Sequence, residues 1–127
     1  MLYAIFCYNQ EDLVGAWSKE EDDRVIGELM KVEDRLAAAG RLGPVARLVP
    51  TTAATTLRKS PEPMVIDGPF AETKEQLLGF YVVDCEGLDQ AIETARELAV
   101  ANPGPGCYEI RPLAIFRPGG DVGTVGS

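Results

Sequence analysis

The chain has no histidine, so any chemistry must come from carboxylates, amines, guanidinium groups, phenols and thiols. Asp67 and Glu72 lie five residues apart around a turn that opens with Asp67-Gly68-Pro69. Two carboxylates so placed work as acid and base if the site raises one of their pKa values. The plain alternative is that Asp67 closes its own turn through an Asx bond and Glu72 precedes a helical cap. Lys74 is an anion ligand or a base if desolvated, and a solvated charge if exposed. Arg47 and Arg58 belong to a stretch, Leu36 to Pro61, that also holds Arg41 and Lys59 and contains no acid. It either lines an anionic pocket through bidentate guanidinium contacts or pairs with the acidic run Glu20 to Asp23, within one chain or across a dimer. Tyr8, Tyr81 and Trp17 line a cavity with one polar tip each, or serve as core and interface.

The three cysteines, Cys7, Cys85 and Cys107, are widely spaced. An odd, sparse set argues against a disulfide framework and for a reducing compartment, hence a cytoplasmic protein. Cys7 ends an apolar run and Cys107 opens another. If these are neighbouring strands, the thiols meet at one edge as a redox pair or lie buried and inert. Nothing adjacent to Cys7 supplies the positive charge that would activate it. Without histidine or a CxxC spacing, neither a metal nor a cofactor is expected.

Length and charge narrow the field further. The 127 residues carry 12 Lys and Arg against 20 Asp and Glu, a net charge of −8. Such a chain lacks the basic footprint of a nucleic-acid binder. No apolar run reaches the ~18 residues of a membrane span, and Met1-Leu2-Tyr3-Ala4 has no basic segment of a signal peptide. One domain is expected, able to bury about two-thirds of its unfolded surface.

The elements that must position these groups follow from pattern. Leu2 to Tyr8 is apolar and aromatic and predicts a strand; Asn9 to Trp17 reads as an acidic loop. Ser18-Lys19-Glu20-Glu21 is a capping box. Val25, Ile26, Leu29, Met30, Val32 and Leu36 then follow a helical period, and Gly40 suits a left-handed stop. A helix is predicted over Lys19 to Ala39. Val45 to Val49 reads as a strand. Thr52 to Leu57 and Met64 to Ile66 read as a hairpin about Ser60-Pro61-Glu62-Pro63. Thr73-Lys74-Glu75-Gln76 suggests one helical turn. Phe80 to Asp84 is a strand, Leu88 to Ala99 mark a second amphipathic helix, and Tyr108 to Phe116 is the last strand. Arg117 to Ser127 lacks periodicity and reads as a mobile tail or exchanged arm beyond a domain of residues 1–116.

The order β-α-β, hairpin, β-α-β predicts an α+β ferredoxin-like sandwich with a β-hairpin insert. A one-sided antiparallel sheet alternates apolar and polar residues, but the first and penultimate strands barely alternate. Two helices cover one face only. The other is expected to meet the same face of a second copy, or else the insert and tail.

The run DGPFAETKEQLLGFYVVDC, Asp67 to Cys85, resembles the signature of the DGPF subgroup of the YCII-related family. TTAATTLRK at Thr51 to Lys59, the opening MLYAIFCYN and the closing YEIRP are similar to that group too. The resemblance covers nearly all of Met1 to Phe116. It implies a homodimer, a dimeric α/β barrel of ferredoxin-like protomers. It implies no settled activity, although some wider-family members are enzymes, such as a dehydrochlorinase, with a proposed His–Asp pair. This chain has no histidine to supply that pair. The resulting expectation is a protein binding a small, anionic or aromatic ligand, with lyase-type or other activity open. Asp67 would be the acid or base, Glu72 its partner, Arg47, Arg58 and Lys74 the charges, and Tyr8 and Tyr81 the shape. The alternative is a regulatory module docking by its acidic surface onto an extracytoplasmic-function sigma factor, an association the resemblance implies. A third reading is a dimeric scaffold whose signature run is structural.

Overall fold

The computed structural model describes residues 1–120 and Val122. Its main sheet has the order β2 (Leu42–Arg47), β5 (Gln76–Asp84), β1 (Leu2–Asn9), β6 (Cys107–Pro112), antiparallel throughout. Two long helices, α2 (Lys19–Ala38) and α3 (Leu88–Ala101), accompany it, and a five-residue helix α1 (Glu11–Gly15) precedes α2. A separate two-stranded sheet pairs β3 (Thr55–Arg58) with β4 (Met64–Asp67). The fold is α+β, and its strand order is compatible with a ferredoxin-like sandwich.

Register determines which side chains meet the helices. Tyr3 lies opposite Val83, and Ile5 opposite Tyr81 and Ile110. These pack with Val32 and Leu36 of α2 and Ala91, Ala95 and Leu98 of α3 into one core. Ile5, Val83 and Leu98 are 0% exposed, and each such burial contributes roughly 1.5–3 kcal/mol. The intervening positions, Ala4 beside Val82 and Phe6 beside Phe80, belong to the opposite face. Phe6 and Phe80 are only partly buried there.

The α2 boundaries follow local chemistry. Ser18 Oγ accepts the Glu21 amide at 3.1 Å. At the other end Gly40 has φ +69°, its N–H reaches the Ala37 carbonyl, and the Arg41 N–H reaches that of Leu36. That reciprocal pattern closes the helix one residue earlier than periodicity implied.

Several expectations need correction. The supposed loop before Trp17 contains α1, whose first turn carries Glu11 and Asp12 where the helix dipole favours acids. Strand β2 begins at Leu42, before Pro44, and stops at Arg47. Two residues between Leu42 and Val45 face one between Val83 and Tyr81, so Pro44 sits in a bulge on an edge strand, where its missing N–H is tolerated. The first hairpin strand starts at Thr55, because Thr51–Ala53 form a 3-10 turn. Thr73 to Gln76 is not a helical turn: the Thr73 hydroxyl donates to the Glu75 carbonyl, and Gln76 already pairs with Asn9 in β5. The last strand ends at Pro112, and Ile115 beyond it is 87% exposed. Arg117 to Gly120 have no regular structure. The remainder of the expected tail, apart from Val122, lies outside the described residues.

Candidate functional site

The apolar stripe of α2 does not lie flush on the sheet. Beside the β2–β5 edge it leaves a cavity of about 270 Å³. Val25, Ile26, Leu29 and Met30 of α2 form one wall, closed at the end by Val14 and Trp17. Val45, Arg47, Gly79 and Tyr81 from β2 and β5 form the other, with Cys7 from β1 and Asn102 from the end of α3. Gly79 is needed for close approach, since a Cβ there would lie 2.4 Å from the Ala46 carbonyl oxygen.

Few polar groups face this space. Arg47 reaches Asp22 at 3.1 Å, an ion pair with both side chains partly exposed. The pair also borders an outer cleft of about 640 Å³, which shares Val14, Trp17 and Leu78 with the cavity. Glu33 lines the inner space, and burial, then the neighbouring Asp34, raises its pKa. Burial also pushes the Tyr81 phenol above its ordinary value, helped by the Tyr108 and Glu33 charges. Tyr108 is pushed up to about 12 by burial, against the lowering hydrogen bond from Asn102. Asn102 Nδ2 donates to the Tyr108 hydroxyl at 3.4 Å. Its Oδ1 is buried without a partner among the described residues. Burial raises the Cys7 pKa too, so this thiol is not activated.

A third recess, about 570 Å³, opens at the far end of the hairpin. It brings together Asp67, Glu72 and Lys74 with Glu11, Asp12 and Gln76. The turn is closed by backbone and threonine: the Gly68 N–H donates to Ala54 at 2.7 Å, and the Thr56 hydroxyl donates to the Gly68 carbonyl at 2.8 Å. No Asx bond of Asp67 is present among the described residues. Asp67, Glu72 and Lys74 are exposed. Glu11 is held there by Thr51, accepting from its amide at 2.7 Å and from its hydroxyl.

The structure therefore divides the sequence-derived candidates. Arg47 and Tyr81 share the inner cavity, while Asp67, Glu72 and Lys74 share the hairpin recess. Arg58, exposed on β3, and Tyr8 line none of these three spaces. The Tyr8 hydroxyl instead donates to Glu109 at 3.2 Å. Of the acidic run, Asp22 pairs with Arg47 within the chain, and Asp23 with Lys19 at 3.0 Å. Cys7 faces Tyr108 while Cys107 faces Tyr8, so the two thiols fall on opposite sides of the sheet. All three cysteines are free, and Cys107 is exposed rather than buried.

Sequence reasoning passed over Glu33, Asn102 and Tyr108. For Glu33 a signal existed: Ile26, Leu29, Met30 and Glu33 follow the i, i+3, i+4, i+7 spacing of one helical face. A carboxylate there interrupts an apolar stripe. Asn102 looked like a helix stop, which it also is.

An α+β domain with an antiparallel sheet, an inserted hairpin and a mostly apolar cavity under its first long helix is the class defined by this geometry. The chain belongs to the YCII-related family, whose profile matches residues 1–117. It is similar to an uncharacterized protein, R00369, of Rhizobium meliloti (strain 1021), with 62% identity over 120 residues. That match covers 94% of this chain and 97% of the relative. Among the described residues, no helix is long and apolar enough to cross a membrane, and no cluster of three metal-ligating side chains occurs.

Proposed function

We propose that the protein binds a small, largely apolar molecule in the cavity beneath α2. The carrying observation is the cavity itself: about 270 Å³, apolar walls and a few convergent polar groups. An engineered apolar cavity of about 150 Å³ holds benzene, so a substituted single ring is the natural scale. The site proposed from sequence at Asp67 is the weaker choice, because its recess is formed by exposed side chains. The Asp67 to Phe70 run supports membership of the DGPF subgroup.

The test is protein-observed NMR with a panel of single-ring compounds, on wild type and a cavity-filling Val45→Trp variant. Shifts clustered about Leu29, Val45 and Tyr81, with affinity reduced about ten-fold in the variant, are expected. Shifts confined to the Asp67 recess, or no binding at millimolar concentration, would overturn the proposal.

A homodimer completes this reading, with the Phe6 and Phe80 faces of two sheets opposed in the dimeric barrel that the family resemblance implies. Partly buried Phe6 and Phe80 support it. Sedimentation should give twice the chain mass, and Phe80→Glu should give a folded monomer. The sigma-factor alternative has less support, since Asp22 and Asp23 of the acidic run already pair within the chain.

A further inference from the structure

The polar groups of the inner cavity also indicate what kind of molecule enters it. We infer that the ligand carries a hydrogen-bond donor, a hydroxyl or amino group, and is neutral or cationic rather than anionic. This rests on the cavity reading above and deepens it.

Among the described residues Arg47 is the only cation lining the cavity, and Asp22 already neutralises it at 3.1 Å. An anion must displace a carboxylate that sits on the same chain. Glu33, by contrast, makes no ion pair among the described residues, whereas Arg35 on the same helix reaches Glu97 and Lys31 reaches Glu28. Counting Arg47, Asp22 and Glu33, the lining is net acidic.

Hydrogen bonding points the same way. Asn102 lines the space and leaves a carbonyl oxygen buried without a donor. Buried polar atoms in folded proteins nearly always find partners. Glu33, only half-buried, also accepts no hydrogen bond within the described structure, so its carboxylate is open to a ligand donor. The phenol of Tyr81 stays protonated, because burial raises its pKa, and it can donate to or accept from a ligand oxygen. Glu33, an accessible acceptor without a donor in an otherwise mostly apolar lining, matches an apolar body with a donating head. A donor delivered to Glu33 would form a charge-assisted bond, the stronger kind.

The experiment compares four probes of one ring size: p-cresol, benzylamine, toluene and benzoate. Titrations by protein-observed NMR at neutral pH use wild type, Glu33→Gln and Glu33→Leu. Wild type should bind p-cresol and benzylamine about ten-fold more tightly than toluene, with benzoate weakest. Glu33→Leu should erase the preference over toluene while still binding toluene. Glu33→Gln should retain p-cresol and weaken benzylamine, which separates hydrogen bonding from charge. Equal binding of p-cresol, benzylamine and toluene would leave the cavity reading standing and overturn the donor inference, as would benzoate binding tightest. Failure of all four probes to bind would remove the cavity reading itself. Thermal melts of both variants confirm that the lost preference is not lost fold.

Discussion

The cavity under α2 and the recess beside Asp67 are both concave, and both hold carboxylates facing a cation. Their surroundings differ. The inner cavity is walled by α2, β2 and β5 and shares Tyr81 with the core. The recess is walled by the Asp67-Gly68-Pro69 turn that follows the hairpin, a 3-10 turn and mostly exposed polar side chains. Low dielectric makes a charge consequential in the first, and water screens it in the second. Shifted pKa values accordingly appear at Cys7, Glu33 and Tyr81. A run of residues that looks like a motif and a place where chemistry is favoured need not coincide.

The largest test of that contrast is truncation at each site. Tyr81→Ala should cost about 3–5 kcal/mol in urea unfolding, and Asp67→Ala about 0.5 kcal/mol or less. Comparable losses would show that the recess is an organised, buried structure and would break the comparison. Next in size, Gly79→Ala drives a Cβ against the Ala46 carbonyl. A loss of about 1–3 kcal/mol is expected, together with shifted amide resonances of Val45 and Arg47. Ser18→Ala removes the cap that starts α2. It should cost about 1 kcal/mol and loosen the cavity end near Trp17, read as faster amide exchange at Lys19 to Glu21.

The smallest effect concerns Glu33. Because burial raises its folded-state pKa, the native protein binds its proton more readily than the unfolded chain does. Stability from this group is therefore present at low pH and is lost as pH rises through the folded value. Glu33→Gln should melt slightly above wild type at neutral pH. The difference should vanish below about pH 3, where the wild-type side chain is neutral in both states. Asp34 beside it and Tyr81 from β5 are the titratable neighbours that any shift must be read against. A variant that melts below wild type at neutral pH would show that Glu33 is stabilised by a partner.

Much of the framework was legible locally. The Ser18 cap, the Gly40 stop, the α2 stripe and the four main strands depend on short-range sterics and hydrogen bonding, which neighbouring residues display directly. Pro44 misled because proline ends strands in most settings but is tolerated in an edge bulge, and the bulge exists only when β5 lies alongside. Thr73 misled because its hydroxyl found the Glu75 carbonyl and the chain was needed in β5 instead. Glu11 to Gly15 was too short to show a period. Of the candidate site, Arg47 and Tyr81 were named from sequence, but in company with residues that fold elsewhere.

The amino-acid sequence alone determined the α+β order of elements, the absence of histidine chemistry, the acidic balance and the family, because these depend on residue type and local spacing. Tertiary structure decided which charges share a space. Arg47 meets Asp22 from 25 residues away, and Glu33, Tyr81 and Asn102 reach one cavity from three different elements. No local pattern encodes that convergence, since it arises only when the α2 stripe packs across the sheet and leaves a gap at its β2–β5 edge.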